Sequence, residues 1–246
     1  MNILNFLLII GALFCNFNNA KDVESTKNTT KSLRGKLNFD SNIVKSIDTN
    51  SKCAVVVIDM QRDFVDGSLP VPGAFDIIDN INHLVKEIEC DFIITTGDRH
   101  QEGDSSFAST HGVKPFSLNQ KNETLWPDHC VEGTHGIELH ENLFLPPKTT
   151  HFYKPDYSIL SNNTFAPFLE KNNINTLIIT GVAGEICVEE SAKDLTQLGK
   201  NVIVWLPGIG WLDEPNKNST IIKMINRKNT VVEENNYTKQ LCELFV

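Results

Sequence analysis

The sequence contains no run of 18 apolar residues, so no helix that spans a membrane is expected. It has no cluster of Lys and Arg, and 31 Asp+Glu against 22 Lys+Arg give a formal net charge of −9. Affinity for nucleic acid or an anionic membrane surface needs such a cluster, so neither is expected as a partner. Cysteine is sparse as well: six in 246 residues cannot make a disulfide scaffold. No internal repeat is visible. The 40% of hydrophobic residues and the modest charge excess describe a globular chain.

Residues 1–20, MNILNFLLIIGALFCNFNNA, carry no charge. Ile3 to Cys15 is almost continuously apolar, the length of the hydrophobic region of a secretory signal, and Ala20 is the expected cleavage position. Residues 21–51 are polar and aperiodic and read as a flexible arm. The domain then occupies residues 52–246, a size that one core can fill. These features predict a secreted or secretory-lumen protein with no membrane association once the signal is removed. Loss of Cys15 leaves Cys53, Cys90, Cys130, Cys187 and Cys242, an odd number, so one thiol or more stays unpaired within the chain.

Within the domain, short β-branched runs recur: 54–58, 92–96, 176–180, 202–206 and a weaker one at 230–232. They are apolar on both faces, as strands of a covered parallel sheet must be. Helical stripes lie between them: Ile77, Ile78, Ile81, Leu84, Val85 and Ile88; Ile186, Ala192, Leu195 and Leu198, with Gly199 as a stop; and Ile221, Ile222 and Ile225. The alternation predicts an α/β fold, a three-layer α/β/α sandwich with a mostly parallel sheet. In such sheets ligands bind beyond the carboxyl ends of the strands.

Those ends carry chemistry. Asp59 follows five apolar residues, and the desolvation expected there makes its carboxylate a plausible proton acceptor. Cys187 is expected in the first turn of a helix after the small-residue loop Gly181-Val-Ala-Gly184, where free N–H groups would favour a thiolate. Lys154 follows a candidate strand, and if it converged on Cys187 it would lower the thiol pKa. Asp98, His100 and His129 are a ligand set suited to Zn²⁺ or a similar divalent ion. The other histidines have no comparable setting.

Four segments in series resemble the nicotinamidases of the isochorismatase-like cysteine hydrolase superfamily: Asp59-Met-Gln-Arg-Asp-Phe64 with Gly67-Ser-Leu-Pro-Val-Pro-Gly73; Asp98-x-His100 with Ser106-Phe-Ala108; Leu125 to His140; and Gly181-Val-Ala-Gly-Glu-Ile-Cys-Val188. The resemblance covers about 53–206 and implies a set of roles. Cys187 would be the nucleophile, Asp59 the general acid/base and Lys154 the third member of a triad. Ala183 and Cys187 would supply oxyanion N–H groups after a cis peptide at Val182-Ala183. Asp98, His100 and His129 would hold the metal, Zn²⁺ first, with Mn²⁺ or Fe²⁺ suiting the same ligands. Phe64, Trp126, Val182 and Tyr157 would bind substrate, Phe64 and Trp126 by sandwiching a pyridine ring.

The implied reaction is hydrolysis of nicotinamide to nicotinate and ammonia through a thioester. Arg99, Gln101 and Asp104 depart from the Trp, Pro and His usual in the family, and the Lys154–Tyr157 spacing is shorter than in many nicotinamidases. Three alternatives remain open. One is a relative acting on another small amide or carbamoyl group. The second is a hydrolase whose attacking water sits on the metal. The third is a secreted, non-catalytic nicotinamide-binding protein. A homo-oligomer is compatible with the sequence, which does not specify one.

Overall fold

The computed structural model describes residues 52–232, apart from 89 and 228. The expected signal and arm, Cys15 and Cys242 lie outside the described residues. A six-stranded sheet runs through the domain: β1 (Lys52–Ile58), β2 (Phe92–Asp98), β3 (Thr150–Lys154), β4 (Ile174–Gly181), β5 (Asn201–Ile209) and β6 (Thr230–Val232). The spatial order is β3-β2-β1-β4-β5-β6, and every neighbouring pair is parallel. The five strands read from the sequence are all present. The sixth, Thr150-His-Phe-Tyr-Lys154, is the candidate strand that leads to Lys154, an edge strand of mixed polarity.

The α-helices are α1 (Arg62–Val65), α2 (Ile78–Glu87), α3 (Phe165–Lys171), α4 (Glu189–Gln197) and α5 (Glu214–Asn226). β1 shows why three layers form. Ala54, Val56 and Ile58 enter one core with residues of α3, α4 and α5, whereas Val55 and Val57 enter the other with α2. All five are wholly buried, and alternation with a period of two sends neighbours to opposite faces. α4 ends as expected, with Gly199 at φ 82° just past its cap.

α5 departs from the expected stripe. It buries Thr220 and Met224, while Ile222 and Ile225 are more than half exposed. The pair four residues apart faces the core, so positions 222 and 225 turn outward. α3 was not expected at all: its seven residues are too short for a periodic signal.

Strand order reverses between β1 and β4, and the carboxyl ends of these two strands meet closely. Gly181 permits it: its φ is 114°, and a Cβ there would lie 2.0 Å from the Ile58 carbonyl. On the amino side, Cys53 of β1 is disulfide-bonded to Cys90, which precedes β2. Closing 37 residues of chain stabilises mainly by restricting the unfolded ensemble. Cys90→Ser should therefore lower the unfolding free energy by about 3 kcal/mol in non-reducing denaturant titrations. An unchanged midpoint would contradict that contribution.

Candidate active site

Three strand ends converge at the switch point, where open α/β sheets place their ligands. Asp59 follows β1 directly and is wholly buried, with φ 51°. Thr96 of β2 donates its hydroxyl to Asp59 Oδ1 at 2.7 Å and accepts the Asp59 N–H at 3.2 Å. Lys154, the last residue of β3, is 1% exposed. Its Nζ lies 2.8 Å from Asp59 Oδ2, closer still to Asp98 Oδ1, and 3.4 Å from Cys187 Sγ.

Burial pushes the Asp59 carboxyl up to about 6 against the pull of Lys154, and the Asp98 charge adds to the rise. Burial acts in the same sense on Asp98, but the Lys154 ammonium, with the His100 and His129 imidazoles adding to the pull, outweighs it and holds Asp98 at about 2. Burial alone would lower the Lys154 pKa. The Asp59 and Asp98 carboxylates reverse this and keep it well above its ordinary value. Asp59 Oδ2 is paired with Lys154 but has no aligned hydrogen bond, so a lone pair is left for a proton.

Cys187 sits in a π-helical turn, Gly184–Val188, rather than in the first turn of α4. Such turns are frequent at functional sites. The peptide Val182-Ala183 just before it is cis. The expected lowering of the thiol pKa is not found: Lys154 does act in that direction, but burial prevails and raises it well above the ordinary value. At neutral pH the thiol therefore keeps its proton until a base removes it. The side-chain atoms of Asp59, Asp98 and Cys187 all lie within 4.8 Å of one another, so that base is at hand.

The second cluster is Asp98, His100 and His129. Two backbone stitches in the long excursion between β2 and β3 position it: His100 bridges Val131, and Phe107 bridges Trp126. Asp63 adds a third tie by accepting the Cys130 N–H at 2.7 Å. Both imidazole Nε2 atoms lie 3.9 Å from Asp98 Oδ2. That is too long for hydrogen bonds, but it suits three ligands sharing one ion through bonds of about 2 Å. His129 Nδ1 is engaged by the Pro127 carbonyl at 2.7 Å and His100 Nδ1 by Asp104 at 3.1 Å. The free nitrogens thus face a common point, as the ligands of a divalent ion do. Burial lowers the His129 pKa and keeps that ring neutral, the form in which it binds metal.

A slot of about 30 Å³ is lined by Phe64, Trp126, Tyr157, Leu212, Ala183 and Cys187, together with Asp98 and His129 of the second cluster. It adjoins a cavity of about 550 Å³ that shares Asp98, His129, Trp126 and Tyr157. Trp126 Nε1 donates to the Tyr157 hydroxyl at 3.0 Å, and both residues line both spaces. Of the residues expected to contact substrate, Phe64, Trp126 and Tyr157 line the slot. Val182 is wholly buried and does not, and its neighbour Ala183 takes that place.

Sequence reasoning missed Gln61. Its side-chain amide accepts the Asp98 N–H at 2.8 Å and donates to the Asp98 carbonyl at 2.9 Å and to the Ile137 carbonyl at 2.8 Å. It thereby fixes the backbone of a metal-cluster residue from the N-terminus of α1, just after β1. Its place two residues after Asp59 was the only signal. His140, which has no setting of its own in the sequence, is a packing residue: it is buried, with its ring edge-on to Phe75.

Comparison with known proteins agrees with this geometry. The isochorismatase domain family matches residues 53–234. The nicotinamidase of Acinetobacter baylyi is 36% identical over 171 residues, covering 63% of this chain and 79% of that protein. The nicotinamidase of Escherichia coli is 32% identical over 173 residues, covering 63% and 81%. A pyrazinamidase of Pyrococcus horikoshii, solved in complex with zinc, superposes with a TM-score of 0.65 at 28% identity, over 74% of this chain and 99% of that one. The match spans both clusters and the whole sheet, and the chain belongs to the isochorismatase family.

Proposed function

We propose that this protein is a nicotinamidase, hydrolysing nicotinamide to nicotinate and ammonia at Cys187. One observation carries the reading: Cys187, set against the buried Lys154 and Asp59, lines one slot together with Asp98 and His129 of the metal-ligand cluster and with Phe64, Trp126 and Tyr157. Two of the relatives named above are nicotinamidases, which supports the same substrate.

Asp59 removes the thiol proton, and the freed Sγ attacks the carboxamide carbon. The carbonyl π electrons move onto oxygen, where the N–H groups of Ala183 and Cys187 stabilise the charge. The C–N bond then breaks, and Asp59 returns its proton to the departing ammonia. Water gives a proton to Asp59 and attacks the thioester. The C–S bond breaks, the sulfur regains the proton, and the acid leaves as nicotinate once its carboxyl proton passes to solvent or to the released ammonia. Lys154 keeps Asp59 ionisable in a site that otherwise favours the neutral acid. When bound at Asp98, His100 and His129, a divalent ion, Zn²⁺ by preference, would supply a Lewis-acidic contact for the pyridine nitrogen.

Incubation of the purified, metal-supplemented protein with nicotinamide should release nicotinate and ammonia in equal amounts. No release would leave the non-catalytic binding reading. Removal of metal by chelation should raise KM for nicotinamide far more than it lowers kcat, because that contact places the ring. An unchanged KM would contradict the placement role.

The acid limb of the rate should report Asp59. Its folded pKa is about 6 and its active form is the carboxylate. kcat/KM should therefore fall about tenfold per pH unit as pH drops below that value. A profile flat through this range would exclude Asp59 as the base. The Cys53–Cys90 bond supports the reading that the protein works in a secretory or extracellular compartment, since such bonds persist under oxidising conditions. Intact mass and N-terminal sequence of the protein exported by its native host test this. A chain that keeps residues 1–20 and carries reduced thiols would refute it.

A further inference from the structure

The surroundings of Asp104 show what its carboxylate does. Oδ2 lies 3.1 Å from His100 Nδ1. Oδ1 accepts two hydrogen bonds from Ser106, from N–H and hydroxyl, each at 2.8 Å. The backbone is held too: the Asp104 carbonyl accepts the Phe107 N–H at 3.1 Å and the Thr110 hydroxyl at 2.8 Å, and its own N–H reaches the Gln101 carbonyl at 3.1 Å. On its other side His100 packs against the wholly buried Phe107, with ring centroids 5.1 Å apart. The imidazole can neither flip nor swing without losing one of these contacts.

An imidazole carries one proton when neutral, and its position decides which nitrogen can bind metal. A carboxylate at Nδ1 draws the proton there and leaves the Nε2 lone pair free. Nε2 is the nitrogen that faces Asp98 Oδ2. His129 reaches the same state differently, through the Pro127 carbonyl. A carbonyl is a neutral acceptor, and the carboxylate is the stronger partner because its hydrogen bond is charge-assisted. We propose that Asp104 is a positioning residue of the metal site: it fixes the Nδ1–H tautomer and the orientation of His100, so that Nε2 is presented to the ion. This rests on the reading that Asp98, His100 and His129 bind a divalent metal.

The geometry also predicts how substitutions rank. Alanine removes both functions of the carboxylate. Asparagine has one acceptor oxygen for two demands, the Ser106 donors and the His100 Nδ1–H, and satisfies only one of them. Zinc affinity, measured by competition with a chromophoric chelator, should therefore fall about 10–100-fold in Asp104→Ala and by less in Asp104→Asn. The ¹⁵N shifts of His100 in the metal-free proteins, read at alkaline pH where the ring is neutral, should report the Nδ1–H tautomer in the wild type and a mixture of tautomers in Asp104→Ala. Ser106→Ala keeps the carboxylate on His100 and should leave the tautomer unchanged. Thermal unfolding of the metal-free forms separates a site effect from a folding defect, and if Asp104→Ala does not fold, Asp104→Asn carries the test.

If the wild type binds one zinc and the Asp104 variants bind it as tightly, with the tautomer unchanged, the proposal is overturned and the metal reading stands. If the wild type binds no zinc and His100→Ala alters nothing, the metal reading itself fails and this proposal with it.

Discussion

Cys187→Ala should lose turnover of nicotinamide by a factor on the order of 10⁴ or more while still binding it. The size of the effect follows from how the site is built. The thiol is buried, keeps its proton at neutral pH and lines the slot beside Asp59 and Lys154. Nothing else there offers a nucleophile of comparable softness, and loss of the nucleophile removes the covalent route altogether. Phe64, Trp126, Tyr157 and the metal cluster are untouched, so affinity for the ring should survive. Equilibrium dialysis with nicotinamide, alongside steady-state rates, separates the two effects. Substantial turnover by the variant would mean that water attacks directly from the metal side, with Cys187 structural.

Lys154→Met should have the second-largest effect, on stability and rate together. The ammonium is 1% exposed and is the one cation paired with both Asp59 and Asp98 among the described residues. Without it two buried carboxylates face each other uncompensated. Breaking such a buried cluster costs about 3–5 kcal/mol, read as a lower unfolding midpoint of the metal-free protein.

The rate should change in a characteristic way as well. Lys154 is what holds the Asp59 carboxyl down to about 6 against burial. Its removal raises that pKa further, so the acid limb should move to higher pH and the neutral-pH rate should fall on the order of 10²–10⁴-fold. A variant of normal stability with its acid limb unmoved would show that the ammonium does not set the protonation of Asp59.

Much of this site is legible in the sequence because the strands announce their own ends. A five-residue apolar run that stops at an aspartate, as at Asp59, fixes both the strand and the group presented at its tip. Asp98 and the Gly181 loop are read in the same way. What escapes is depth and long-range partnership. The thiol was expected to be acidic at a helix terminus, but its pKa is governed by burial beneath the slot, and local sequence does not encode how deep a turn lies. Gln61 carries no chemistry of its own, and its role appears only once β2 lies beside β1. α5 shows the same limit in packing: three isoleucines suggest a stripe, yet the fold turns Thr220 and Met224 inward. Asp104 was visible as a departure from the family, and only the structure shows it against His100 Nδ1.

The central claim is a thioester on Cys187, and trapping it tests that claim most directly. Hydroxylamine competes with water for a thioester and converts the acyl group to a hydroxamate. With nicotinamide as substrate and rising hydroxylamine, nicotinohydroxamate should accumulate at the expense of nicotinate, with ammonia release undiminished. Release of nicotinate alone at every hydroxylamine concentration would contradict the thioester and point to direct attack by water.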